Sequence, residues 1–200
     1  MKRNDVDILD RSAVFDGYFR IDRYRLRHKL FAGGWSGAMV RELFERGHAA
    51  ALLPYDPVLD CVVLIEQFRI GAYAAGRHPW LIEVVAGIID GEDESAEDVV
   101  RREAEEEAGL KVGDVIQISE YLASPGGTSE TVALFCGRVD ASNAGGLYGL
   151  SAEHEDIRVF TVPVGDISAL LAEKRTHNAT ALIALQWLIL HRDEIRRRWS

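Results

Sequence analysis

The chain has 200 residues, 48% of them hydrophobic and 28% charged, which is the composition of a folded globular protein and too apolar for a disordered one. Its 23 basic and 32 acidic residues leave a formal net charge of -9. That balance excludes partners bound through a broad basic surface, nucleic acid above all, and suits a site that collects cations. Two cysteines, Cys61 and Cys136, lie in apolar runs and provide neither a disulfide framework nor a cysteine zinc site. Acidic residues in MKRNDVDILD take the place of the apolar stretch of a signal peptide. The run ATALIALQWLIL is too short to span a bilayer and is interrupted by Gln186. A cytoplasmic protein with no membrane partner is expected.

In chain order, residues 14–28 alternate apolar and polar positions and predict one half-buried strand. Gly33 and Gly34 mark a turn, and 40–51 predicts a strand running on into the apolar segment 49–53. Pro54, Asp56 and Pro57 predict a turn, followed by a strand over 62–69. GAYAAGRHP reads as a loop and 80–88 as a single strand. After the acidic loop DGEDES a helix is predicted over 95–108, closed by Gly109. Strands over 115–122, 131–139 and 157–163 follow, with 141–150 a loop between the last two. Helices over 164–174 and 180–198 close the chain, whose RRRW end places basic residues at a helix C-terminus. Strands on either side of a central helix, with helices last, give an α+β class arranged as a sheet between helices.

The helix over 95–108 contradicts its own pattern. At about 100° per residue, Ala96, Val99 and Val100 form an apolar stripe that continues onto Glu103 and Glu107, with Glu106 on its flank. Asp98, Arg101 and Glu105 point the other way. Carboxylates thus occupy the face that the valines commit to the interior. They also crowd the negative end of the helix dipole. Like charges four residues apart cost roughly 0.2–0.5 kcal/mol even when exposed, and more when buried without a counterion. A divalent cation is the simplest compensation, since hard carboxylate oxygens suit Mg2+ or Mn2+. The bland alternative is a solvated acidic face paired with Arg101 and Arg102.

The spacing is more specific than the stripe. The run from Arg102 to Leu110, REAEEEAGL, resembles the second half of the Nudix box, Arg-Glu-U-x-Glu-Glu-x-Gly-U with U aliphatic. Glu94 matches the earlier Glu of the box. Gly87 matches its opening Gly, with six residues before Glu94 where the box has five, so the IIDGED loop carries one extra residue. Ala104 is small for U. Beyond the box, YRLRHKLF, VRELFERGHAA, LLPYDP, VVLIEQFRIGAY, EVVAGIIDG, LASPGGTSE, EDIRV and ALIALQWLILH resemble the corresponding stretches of bacterial ADP-ribose pyrophosphatases. Pro125, sixteen residues after Gly109, matches the proline that marks this subfamily.

The resemblance implies a Nudix fold, with a mixed β-sheet sandwiched between helices and an N-terminal antiparallel β-sheet region. It implies residues 1–50 as a β-rich dimerisation region and 51–200 as the hydrolase domain. The implied activity is Mg2+-dependent hydrolysis of ADP-ribose to AMP and ribose 5-phosphate, with Mn2+ a substitute ion. Glu103, Glu107 and the backbone carbonyl of Ala86 are the implied metal ligands. Glu106 is a further ligand or a supporting partner, and Arg102 orients the glutamates. The family's general base lies on a loop after the sheet. In SAEHEDIRV, Glu153 is assigned as base and Glu155 as a metal contact, the reverse assignment staying open, and His154 reads as a solvent-facing loop residue. Arg69 is expected to face the diphosphate, with Ile88, Ser124, Pro125, Gly126, Gly127 and Thr128 shaping the substrate pocket. Tyr18 and Phe19 are expected to sandwich the adenine, their alternative being strand core. Arg41, Glu42 and Arg46 match positions that reach the substrate of a neighbouring subunit, which implies a homodimer joined through the N-terminal strands. Trp187 and the last helix are expected to pack rather than to contact substrate. The same chemistry on a nucleotide sugar, a non-catalytic ADP-ribose-sensing domain and an acidic-helix interaction module are the competing readings.

Overall fold

The computed structural model describes residues 1–91, 93–150 and 154–199. They form two compact units, one of 1–48 with 122–131, the other of 49–91, 93–121, 132–150 and 154–199. The first unit holds a three-stranded antiparallel sheet of β1 (Val6–Asp16), β2 (Arg20–His28) and β3 (Met39–Glu45) in that order. The single strand expected over 14–28 is two strands. The turn at Gly17, whose N–H donates to the Phe19 carbonyl at 3.0 Å, folds the alternating segment into a hairpin. The strand expected over 40–51 is likewise broken: Gly47, at a φ of 82° that side chains disfavour, ends β3 and lets β4 begin at Ala49. Within the sheet, buried Asp22 accepts from Arg11 and Arg20, which hold its carboxyl below the usual range.

The second unit is built on an eight-stranded mixed sheet. Along it run β10 (Gly146–Tyr148), β11 (Ile157–Pro163), β5 (Cys61–Phe68), β4 (Ala49–Asp56), β9 (Thr131–Arg138) and β8 (Val115–Leu122). β4 and β9 are parallel, and β4 is buried on both faces from Ala50 to Asp56, as central strands are. Pro54, expected in a turn, lies inside β4; the turn begins only after Asp56. β4 and β5 pair only at Tyr55–Val62 and Asp56–Cys61, and then diverge. The gap is filled by β6 (Trp80–Glu83) on β5 and β7 (Val85–Ile88) on β4. The strand expected over 80–88 therefore changes partner at Val84. The segment read as a Gly-Ala loop contains a short helix, α1 (Ile70–Ala74), and β10 forms inside the loop expected over 141–150.

Helices cover both faces of this sheet. Val62, Leu64, Leu134 and Cys136 pack on one side with Ile167 and Leu170 of α3 (Ile167–Leu171) and Ala184, Leu185 and Leu188 of α4 (Ala179–Trp199). Ala50, Leu52, Val63 and Ile65 pack on the other with Val99, Val100, Ala104 and Ala108 of α2 (Ala96–Ala108). Both cysteines are buried free thiols, which burial pushes to high pKa. Trp187 is half-buried and stacks on His191, and Trp199 is buried against Tyr55. No helix among the described residues is long and apolar enough to cross a membrane.

Candidate active site

α2 begins where its sequence says it should. Ser95 caps it by accepting from the Asp98 N–H at 3.2 Å while Asp98 reaches back to the Ser95 backbone, a complete capping box. It ends at Gly109 in the left-handed conformation (φ 63°), whose missing Cβ also leaves room for the Tyr148 ring. Its register is the one the apolar stripe predicts: Val99, Val100 and Ala104 are buried, Asp98 and Glu105 exposed, and Glu107 lies inside at 4% exposure.

Glu107 is a buried carboxylate with one hydrogen bond, from the Ala86 N–H at 3.2 Å, and no ion pair among the described residues. Burial raises its pKa to about 8, and the charges of Glu103 and Glu155 push the same way. Glu103 is half-buried and also raised, again chiefly by loss of water, against the pull of Arg102. Its carboxylate lies so close to the backbone of β7 that any Cβ at Gly87 would occupy the space of the carboxyl group. The opening glycine of the box is therefore explained by close approach.

Arg102 organises the outer edge of this cluster. It donates to Glu94 at 3.1 Å, to Glu103 at 2.7 Å and to Glu106 at 3.1 Å, and the bond to Glu94 leads the effects that raise its own pKa. Glu106 is thus gathered with Glu103 through a shared arginine. Arg101, the other partner in the bland reading, turns away to Glu97 and to the Val112 and Gly113 carbonyls. Glu155 is fixed at the end of the loop before β11: its carboxylate accepts from the Leu150 N–H at 3.3 Å and its own N–H donates to the Leu150 carbonyl. Gly149 (φ 105°) is needed there, because a Cβ would strike Glu155. His154 is exposed and has a positive φ of 58°. Glu153 lies outside the described residues. Arg69, just past β5, pairs with Glu83 at 2.8 Å, and its charge opposes the rise in the Glu107 pKa. Ile88 is half-buried at the end of β7, opposite Ala49.

Among the described residues no three His, Cys, Asp or Glu side chains already converge on one point, Glu103 being turned onto Arg102. The donor chemistry nevertheless fits a hard divalent cation. Two carboxylates, Glu107 buried and Glu103 half-buried, lie one turn apart on one helix face, with a third charge, Glu155, felt by both.

The remaining expected residues lie in the first unit. Phe19 meets Phe44 edge-on at 5.0 Å, and the Arg46 guanidinium lies 5.6 Å above the Phe19 ring. Tyr18 is 88% exposed and touches Phe19 edge-on, so the two rings occupy a turn and neither is strand core. The segment 122–131 is tied to β3. Gly127 accepts from the Phe44 N–H at 2.8 Å, Ser129 bonds Glu45, and Glu130 pairs with Arg46 at 3.4 Å. Within it the Ser124 carbonyl accepts from Gly127 and Thr128; Pro125 and Gly126 are exposed, and a Cβ on Gly126 or Gly127 would meet nothing. Glu42 pairs with Arg23 across β2 and β3, and Arg41 bonds the Val40 carbonyl beside it. Sequence reasoning did not single out Glu130 or Glu83. The available signal for Glu83 was an acid inside the apolar run WLIEVVAG.

Residues 45–185 match the NUDIX domain family, and the chain belongs to it. It is 52% identical over 198 residues to an ADP-ribose pyrophosphatase of Escherichia coli, covering 99% of this chain and 94% of that protein. It is 41% identical to an ADP-ribose pyrophosphatase of Haemophilus influenzae, covering 99% and 92%. A GDP-mannose pyrophosphatase of Pectobacterium atrosepticum is 33% identical, covering 92% and 94%. A crystal structure of an ADP compounds hydrolase shares the fold, with a TM-score of 0.74 at 20% identity, covering 96% of this chain and 97% of that one.

Proposed function

We propose that this protein is an ADP-ribose pyrophosphatase, hydrolysing ADP-ribose to AMP and ribose 5-phosphate with Mg2+, for which Mn2+ can substitute. The observation that carries the reading is the pair of Glu107, buried with no ion pair among the described residues, and half-buried Glu103, set against β7 at Gly87 with Arg102 as its cationic partner. The full-length identity of 52% to a protein of that name supports ADP-ribose over the GDP-mannose named for the 33% relative.

A diphosphate repels nucleophiles, and a divalent cation held here would supply charge neutralisation of its oxygens and acidification of the attacking water. Glu103 and Glu107 would hold it, with the Ala86 carbonyl and Glu155 as further contacts. Arg102 fixes Glu103 and Glu106 by charge-assisted hydrogen bonds. Arg69 meets the diphosphate charge. A loop carboxylate, Glu153 or in the reverse assignment Glu155, takes the proton of the water as its oxygen bonds to phosphorus and the bridging P–O bond breaks. Tyr18, Phe19, Ile88 and the segment from Ser124 to Thr128 are proposed nucleotide and ribose contacts.

Arg41, Glu42 and Arg46 are proposed to reach the substrate of the partner in a homodimer. The apolar side chains Val6, Ile8, Leu9, Val14 and Phe15, exposed on and around the three-stranded sheet, support an assembly through that sheet. A cytoplasmic location, without nucleic-acid or membrane partners, fits the net charge of -9. The test is a turnover panel of ADP-ribose, ADP-glucose, GDP-mannose and diadenosine compounds. The highest kcat/KM is expected for ADP-ribose, and a clear preference for any other member contradicts the assignment.

A further inference from the structure

Arg69 carries a fixed positive charge whose field reaches Glu107, a buried carboxylate without an ion pair among the described residues. A guanidinium and a half-dry carboxylate pair strongly, often through two hydrogen bonds. Without a partner of its own, the Arg69 guanidinium would be drawn toward the Glu107 carboxylate, on the sheet face where Ile65 packs with α2, and would compete with a cation there. The β5–β6 hairpin prevents this. The Arg69 N–H donates to the Pro79 carbonyl at 2.7 Å, fixing the backbone where β5 ends. Glu83 stands opposite Ile65 and Gln67 opposite Leu81, so Glu83 and Gln67 are diagonal neighbours on one face of the hairpin. One oxygen of Glu83 accepts from Arg69 Nε at 2.9 Å and Nη2 at 2.8 Å, and from Gln67 Nε2 at 3.4 Å. The Glu83 side chain is 14% exposed and that of Arg69 44%, so the carboxylate is held out of water while the guanidinium keeps an open side.

We infer that Glu83, supported by Gln67, is a positioning residue that keeps Arg69 paired on the hairpin and off Glu107, leaving that buried carboxylate open to a divalent cation and the guanidinium oriented for an anion. The inference rests on the function proposed above and adds to it a residue outside the box that controls occupancy of the metal site.

The test is calorimetric titration of the substrate-free, full-length protein with Mn2+, alongside steady-state kinetics with ADP-ribose. E83A is expected to weaken Mn2+ binding about five- to tenfold and to raise KM about tenfold, with a smaller change in kcat. R69A in the E83A background is expected to restore Mn2+ affinity to the wild-type value or above, because the competing cation is gone; a merely loosened hairpin would show no such rescue. Should E83A fail to fold, E83Q, of the same shape but uncharged, is read in the same way, with a smaller loss and the same rescue. Wild-type Mn2+ affinity in E83A or E83Q, or an equal loss in the double variant, would overturn the inference while leaving the proposed function intact. Absence of Mn2+ binding by the wild-type protein would contradict the proposed function and this inference with it.

Discussion

Glu103 and Glu107 sit one helical turn apart; Arg102 offsets part of the cost of burying Glu103, and no ion pair among the described residues offsets that of Glu107. Glu103→Gln and Glu107→Gln are expected to lower kcat by at least a hundredfold while circular dichroism and Tm stay near wild type. Wild-type turnover in both variants would remove them from the site. The titration of Glu107 gives a second check on the cation-free protein. Its folded pKa, about 8, lies above the ordinary 4.5, so the unfolded chain gives up the proton first. Its contribution is whole below about pH 4.5 and is lost as pH rises through 8. Tm measured without divalent cation should therefore fall over that range, and saturating Mg2+ should raise Tm more at about pH 8.5 than at about pH 5.5. Gly87→Ala acts on the same pair. The added Cβ meets the Glu103 carboxyl end, a flexible group that can swing away, so activity should drop at least tenfold with little loss of Tm.

At the scale of elements, α2 is the part the sequence describes most completely. Its cap at Ser95, its stop at Gly109 and its buried acid face follow from local pattern alone, since each depends on residues within two turns. Gly109→Ala should cost about 1–2 kcal/mol, from the left-handed φ and the Tyr148 contact, lowering Tm by a few degrees. The strands were less legible where a glycine or a change of partner intervenes. An alternating run reads the same whether it is one strand or a hairpin bent at Gly17, and the exchange at Val84 depends on β4 and β5 diverging, which no local pattern records. Pro54 reads as a turn residue, yet it is accommodated inside a strand. In the site, the box glutamates were recoverable from spacing. The pairings of Glu83 with Arg69 and of Glu130 with Arg46 were not, because they join residues 14 and 84 positions apart through sheet register and loop docking.

For the molecule as a whole, the second unit is a sheet covered on both faces and latched at the β4–β5 turn. There Asp60, in a left-handed conformation (φ 55°), accepts from Tyr55 at 2.8 Å and pairs with Arg192 of α4. The arginine holds the Asp60 carboxyl below its ordinary pKa, so the stabilisation is present above about pH 4 and is lost as pH falls through the lowered value. Asp60→Asn keeps a residue that tolerates the backbone and removes the charge; it should lower Tm by a few degrees near neutral pH, corresponding to about 1 kcal/mol. The most direct measurement of the central claim is product analysis of ADP-ribose incubated with the purified protein and Mg2+, repeated with excess EDTA. AMP and ribose 5-phosphate in equal amounts, abolished by the chelator and restored by added Mg2+, is the predicted result. Hydrolysis that continues unchanged in EDTA would contradict it.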